Sequence, residues 1–186
     1  TQNDETALGQ GSSVKMETQE TMKIIAAGNI FTGTFERDGM GGILTLGRNF
    51  ECRPNKLKGY YKYTSAKVSV SKGHLNEGED DLCSLYIALT DEQITVNTNK
   101  GIYFDPNSSA VIAYGSISDE ESKGADSFKE FTVDLEYKDL KRIPKYIIVV
   151  ASSSKYGDYM EGGKGSTMWL DDLELVYPKS MEEVRK

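Results

Sequence analysis

The stretch Ser166-Thr167-Met168-Trp169-Leu170-Asp171-Asp172-Leu173-Glu174-Leu175-Val176-Tyr177 decides the fold. Read at a period of two it is a strand, with Trp169, Leu173, Leu175 and Tyr177 on one face and Leu170, Glu174 and Val176 on the other. Asp171 shares the parity of Trp169 and Leu173, so it is expected to point where the apolar side chains point. An ionised carboxylate inside a core is costly unless something compensates it. Two compensations fit: a bound calcium, or backbone N–H groups from a neighbouring turn at the end of a sandwich.

Working outward, the same alternation recurs. Leu57, Tyr61 and Tyr63 share a face that reads as core, while Lys58, Tyr60 and Lys62 share the solvent face. Cys83, Leu85, Ile87 and Leu89 face inward with Tyr86 on the outer side. Phe131, Val133 and Leu135 point in, and Asp134 and Glu136 point out. Tyr146 to Ala151 is apolar on both faces, as in a central strand covered on two sides. Val14–Thr18, Met22–Ala26, Ala66–Ser71 and Ala110–Gly115 supply further short segments, and glycines 39, 41 and 42 read as a loop. Short alternating segments, Gly/Asn/Asp/Ser loops and the lack of long amphipathic helices predict an all-β protein. Its architecture is expected to be a jelly-roll β-sandwich of two antiparallel sheets. Residues 1–12 read as a flexible linker, 13–178 as the sandwich and 179–186 as a polar tail.

A chain of 186 residues supports one such core. With 22 Lys and Arg against 29 Asp and Glu, the net charge of −7 argues against a nucleic-acid surface and suits neutral partners or bound cations. Eleven tyrosines against one tryptophan and six phenylalanines give a tyrosine-heavy aromatic set, apolar on the ring face and polar at the tip. Cys52 and Cys83 fit no metal spacing; both fall in expected strands, as small buried thiols or as a pair if those strands adjoin. No apolar run is long enough to span a membrane and no signal peptide is present. The start Thr1-Gln2-Asn3-Asp4-Glu5 reads as an internal cut, with a leader or an upstream domain before it.

The runs Gly28-Asn29-Ile30-Phe31-Thr32-Gly33-Thr34-Phe35-Glu36, Arg53-Pro54 through Leu57-Lys58-Gly59-Tyr60-Tyr61-Lys62-Tyr63, Ile147 through Tyr159 and Trp169-Leu170-Asp171-Asp172-Leu173-Glu174-Leu175 carry a resemblance. From Gly28 to Tyr177 the chain resembles the putative carbohydrate metabolism domain of cell-surface lipoproteins, and more broadly galactose-binding-like jelly rolls and carbohydrate-binding modules. The resemblance implies an exported protein, at the cell surface or outer membrane through a lipid anchor on an upstream cysteine, or in the periplasm. It also implies a role in glycan capture or processing. In such jelly rolls a structural calcium (Ca2+) is often held between the lead-in segment and the closing strand. Carried over, its ligands here are Glu36 and Asp171, with Asp172 as substitute.

Sugar binding needs flat aromatic faces with polar groups near them, and no nucleophile. Tyr60, Tyr86, Tyr156, Asp158 and Tyr159 are the candidates, the last three in the long Ser152–Gly165 loop. The alternative is that Tyr156 and Tyr159 pin their own loop and that Tyr60 pairs across strands. Glycoside hydrolysis needs two carboxyl groups about 5–10 Å apart across one bond. Most acids here sit on outward faces or in acidic loops, and no pair stands out. His74, among Gly73, Asn76 and Gly78, reads as a surface histidine in a turn. No Gly-x-Ser-x-Gly elbow or phosphate loop occurs. No catalytic residue is assigned. The expectation is a non-catalytic carbohydrate-binding module of an exported surface lipoprotein. The alternatives are a structural or adhesive module and a glycoside hydrolase with an unrecognised carboxylate pair.

Overall fold

The computed structural model describes residues 1–9, 11–39 and 41–179; the rest of the expected polar tail lies outside the described residues. In chain order the strands are β1 (Gln2–Asn3), β2 (Ser13–Glu17), β3 (Gln19–Thr21), β4 (Ile24–Ala26), β5 (Asn29–Phe31), β6 (Gly33–Asp38), β7 (Gly41–Leu46) and β8 (Arg48–Asn49). There follow β9 (Lys56–Thr64), β10 (Ser84–Thr90), β11 (Ile94–Asn97), β12 (Val111–Ser116), β13 (Ala125–Asp134), β14 (Glu136–Tyr137), β15 (Tyr146–Ser152) and β16 (Thr167–Val176). One sheet has the order β1-β2-β16-β9-β13 and the other β14-β12-β10-β15-β5, with β8 also against β15; the pairings are antiparallel. This is the expected antiparallel β-sandwich.

The alternation explains the core. Leu57, Tyr61 and Tyr63 of β9 meet Leu85, Ile87 and Leu89 of β10 between the sheets, with Met168 and Leu170 of β16 and Phe131 of β13. Burying each of these side chains stabilises the fold by about 1.5–3 kcal/mol. Lys58, Tyr60 and Lys62 alternate with the buried set on β9, as the period of two requires.

β16 does not keep the parity read from its sequence. Its inward residues are Met168 and Leu170, whereas Trp169 faces outward, with the Lys62 and Lys15 ammonium groups 4.5 and 5.6 Å from its ring centroid. The cause is a β-bulge between Asp171 and Glu174, with Asp172 in the left-handed region at φ 46°. The bulge resets the register so that Leu175 pairs with Leu57 and packs on the core, while Leu173 is left 44 % exposed. Gly59 makes room for it: a Cβ there would lie 2.8 Å from Leu173 Cδ2.

A second difference is a third layer. β7 pairs with both β6 and β11, so Gly41 and Gly42 lie in a strand rather than a loop. This small sheet covers the outer face of the six-stranded sheet, where Leu46 and Val96 pack on Ala88 and Ile148. β15 is therefore apolar on both faces because it is covered on both. Residues 66–71 form isolated bridges (Lys67 with Asp80, Val70 with Gly162) rather than a strand. Cys52 is an exposed free thiol and Cys83 a buried one, and neither lies within a strand. At the N-terminus β1 pairs with β2, Glu5 forms an ion pair with Lys62, and the Ala7 N–H donates to Asp171. Of the segment expected to be a linker, β1 thus forms the sheet edge and residues 5–7 reach across the outer face to β9 and β16.

Candidate functional site

The loop from Ser152 to Gly165 leaves the end of β15 and is fixed at several points. The Ser153 hydroxyl lies 2.8 Å from the Thr18 hydroxyl and accepts from the Gly28 N–H at 3.1 Å. Asp81, wholly buried, accepts from the Ser154 and Ser166 hydroxyls (2.6 and 2.8 Å) and from the N–H groups of Gly163 and Leu82 (both 2.8 Å). Burial raises the Asp81 pKa, against the opposing pull of these hydrogen bonds.

Glu161 is also wholly buried and gathers the 72–75 turn around itself. It accepts from the backbone N–H groups of Lys72 (2.8 Å), His74 (3.3 Å) and Leu75 (2.6 Å), and lies 3.0 Å from His74 Nδ1. Burial alone would raise its pKa, but the His74 and backbone hydrogen bonds together carry it below the usual carboxylate value.

His74 is a surface histidine in a turn, as expected, but its ring is held in place. Its ring stacks on Tyr156 (centroids 4.4 Å apart, 16° between planes) and leans on Tyr159 at 4.3 Å; Tyr159 stacks in turn on Tyr103 at 4.0 Å. The sequence reading missed this because Glu161, which draws the turn in, is far from it in the chain. Tyr156 and Tyr159 do pin their loop, as the alternative had it, and they also wall a cavity.

That cavity, about 280 Å³, lies on the outer face of the six-stranded sheet. Tyr86, Tyr156, Asp158 and Tyr159 all line it, so the structure brings these sequence candidates together. Tyr103, Phe104 and Tyr114 complete the aromatic wall: Tyr86 stacks on Phe104 (4.9 Å, 18°) and lies 6.0 Å from Tyr114. Burial pushes the Tyr86 phenol well above its ordinary value. Tyr103 and Phe104 follow Gly101 and precede Asp105-Pro106. An adjacent aromatic pair in a loop was the signal that could have found them.

Asp158 sits in the short 3-10 turn Gly157–Tyr159, which ends on Met160 in the left-handed region (φ 58°). It is half-buried, and burial raises its pKa; among the described residues no group donates a hydrogen bond to it. At the rim, Lys155 pairs with Asp119 at 3.1 Å, and the Asp119 side chain is 95 % exposed.

The remaining candidates lie elsewhere. Tyr60 is on the outer face of the five-stranded sheet, paired with Asp171 and Glu130, and takes no part in the cavity. Glu36 is exposed on β6, Asp171 is buried on β16, and Asp172 is exposed at the bulge. Glu36 thus belongs to the small three-stranded sheet and Asp171 and Asp172 to the five-stranded one. The Asp171 oxygens accept from the N–H groups of Ala7 (2.8 Å) and Asp172 (3.0 Å). Among the described residues no group of three or more His, Cys, Asp or Glu is placed to hold a metal ion. Glu36 and Asp171 stand on separate sheets, and backbone donors meet the buried Asp171 carboxyl.

Comparison with known proteins bears on the fold and the family. The chain is similar to the crystal structure of a putative glycoside hydrolase from Bacteroides thetaiotaomicron VPI-5482 (TM-score 0.75, 26 % identity), covering 96 % of this chain and 57 % of that one. It spans little more than half the length of that protein. It shares its fold with a putative glycoside hydrolase from Bacteroides vulgatus ATCC 8482 (TM-score 0.74, 24 % identity), covering 95 % of this chain and 76 % of that one. No curated protein matches it. The family described as "Putative carbohydrate metabolism domain" matches residues 1–176, nearly the whole sandwich from β1 to the end of β16, and the chain belongs to that family.

Proposed function

We propose that this domain binds carbohydrate in the cavity walled by Tyr86, Tyr103, Phe104, Tyr156 and Tyr159, and holds it without cleaving it. The observation that carries the reading is the convergence of Tyr86, Tyr156, Asp158 and Tyr159 on one hollow. Ring faces offer apolar area to the C–H face of a sugar, and the phenol tips, Asp158 and Lys155 offer donors and acceptors to its hydroxyls. The scaffold is rigid where it matters, because Asp81 and Glu161 fix both sides of the loop. A glycan array tests the reading. At least one glycan is expected to bind, and Tyr159→Ala is expected to weaken it about tenfold, or ~1.4 kcal/mol. Binding to no glycan across a broad array, or binding indifferent to Tyr159→Ala, overturns it.

One observation favours hydrolysis as a second reading. Asp158 is a carboxyl group of raised pKa inside the cavity, as a general acid requires. Its partner would have to be Asp119, the other acidic residue among the described residues lining the cavity. Asp119 is instead almost fully exposed and paired with Lys155, which argues for binding. Release of reducing ends from a bound glycan, abolished by Asp158→Asn and by Asp119→Asn, would establish the hydrolytic reading. Intact glycan after prolonged incubation rejects it.

A further inference from the structure

The aromatic cavity adjoins two further hollows, linked to it in turn by shared lining residues. A narrow hollow of about 60 Å³ shares Ser84, Tyr86, Lys155 and Asp158 with it. That hollow in turn shares Asn29, Phe31, Leu44 and Asp158 with a third, of about 470 Å³. The third lies between β4, β5 and the β6–β7 hairpin. Asp158 borders all three, so it stands at the waist between two lobes of unequal size.

The far lobe has an aromatic surface of its own. Phe35 on β6 is 60 % exposed, large for an aromatic ring in a folded domain, and it lines this lobe. Its ring rests on the backbone of Gly42 on β7, where any Cβ would overlap it. Gly42 is in turn held by its N–H to the Thr98 hydroxyl at 3.2 Å. One side of the Phe35 ring is therefore backed by rigid strand, which leaves the rest of the ring open. An exposed ring seated this way is a ready stacking surface, with little further ordering needed on binding.

We infer that the three hollows join as one cleft that takes a linear oligosaccharide rather than a single sugar, with a second sugar subsite on Phe35 and Asp158 between the two subsites. This rests on the carbohydrate-binding reading of the first lobe. It adds a residue, Phe35, and a ligand class, chains of several sugar units. Lys155 and Asn29 stand beside Asp158 at the waist and offer donors to the hydroxyls of the crossing chain.

The test is calorimetry on the whole domain, using linear mono- to hexasaccharides of glucose, galactose, mannose and xylose as probes. For the series that binds, affinity is expected to rise at least tenfold from the monosaccharide to the longer chains. Phe35→Ala is expected to remove that rise and leave monosaccharide affinity unchanged. Phe35→Trp, which keeps a flat ring, is expected to preserve it. Tyr159→Ala should weaken every length alike. Equal affinity at all lengths, or a rise with length that Phe35→Ala does not touch, overturns the second subsite and leaves the first lobe's role standing. Binding to none of the probes overturns the first lobe's role and the second subsite with it.

Discussion

Asp158 and Glu161 belong to the same loop, yet their carboxyl groups live in opposite surroundings. Glu161 is wholly buried and saturated: three backbone N–H groups and the His74 ring surround it, and its pKa falls. Asp158 is only half-buried, borders the cleft and receives no such donors among the described residues, and its pKa rises. A folded chain removes a carboxyl from water at a cost, and hydrogen bonds usually offset it. Where they do not, the group is available to something that arrives later. The contrast separates the residue that builds the ledge from the residue the ledge presents.

The largest effect should come from removing the builder. Glu161→Ala strands the N–H groups of Lys72, His74 and Leu75 and releases the turn that seats His74. A loss of about 3 kcal/mol is expected in urea unfolding, with glycan affinity lost as well. A loss below about 0.5 kcal/mol, the size of an ordinary surface change, would break the contrast at its first member.

Asp158→Asn should act with the opposite sign and a smaller size. Because the native pKa of Asp158 is raised, its ionised form opposes folding, and stability falls as the pH rises through that pKa. The asparagine variant escapes this loss. Its melting temperature should exceed that of the parent at pH 8, and the gain should vanish as the pH drops below the ordinary carboxylate range. Glu161→Gln should behave in reverse. Its deficit is full near neutrality and shrinks in acid, since the lowered pKa of Glu161 gives stability that is lost as the pH falls through it. Parallel pH profiles for the two variants would remove the distinction.

The smallest effect should be at Tyr60. Tyr60→Ala is expected to leave glycan affinity unchanged and to cost no more than about 1 kcal/mol through its cross-strand neighbours. A tenfold loss of affinity there would move the binding surface to the other sheet.

The sandwich was legible where alternation ran unbroken. Leu57, Tyr61 and Tyr63 declared the core side of β9, and the doubly apolar β15 announced a cover on each face. Parity failed in β16 because one left-handed residue, Asp172, inserts an extra position, and nothing in Asp171-Asp172-Leu173 marks it. The third sheet was hidden by Gly41 and Gly42, which read as loop by composition. They are strand because they pair with Arg37 and Asp38 of β6, and they are glycine because the Phe35 ring and the Thr98–Asn99 turn occupy the space side chains would need. The cavity was half legible. The loop supplied Tyr156, Asp158 and Tyr159 as neighbours in sequence, whereas His74, Tyr103 and Phe104 join them only through long-range packing. The calcium expectation placed interest on Glu36, while the exposed ring next to it, Phe35, is the feature that borders the cleft.

The lone tryptophan has a practical consequence. Trp169, braced by two ammonium groups under the N-terminal segment, sits across the full thickness of the sandwich from the cleft. Its emission is a private signal of that far sheet. A titration followed at tryptophan wavelengths will look silent while the cleft fills, and tyrosine absorbance is the channel in which occupancy can be seen.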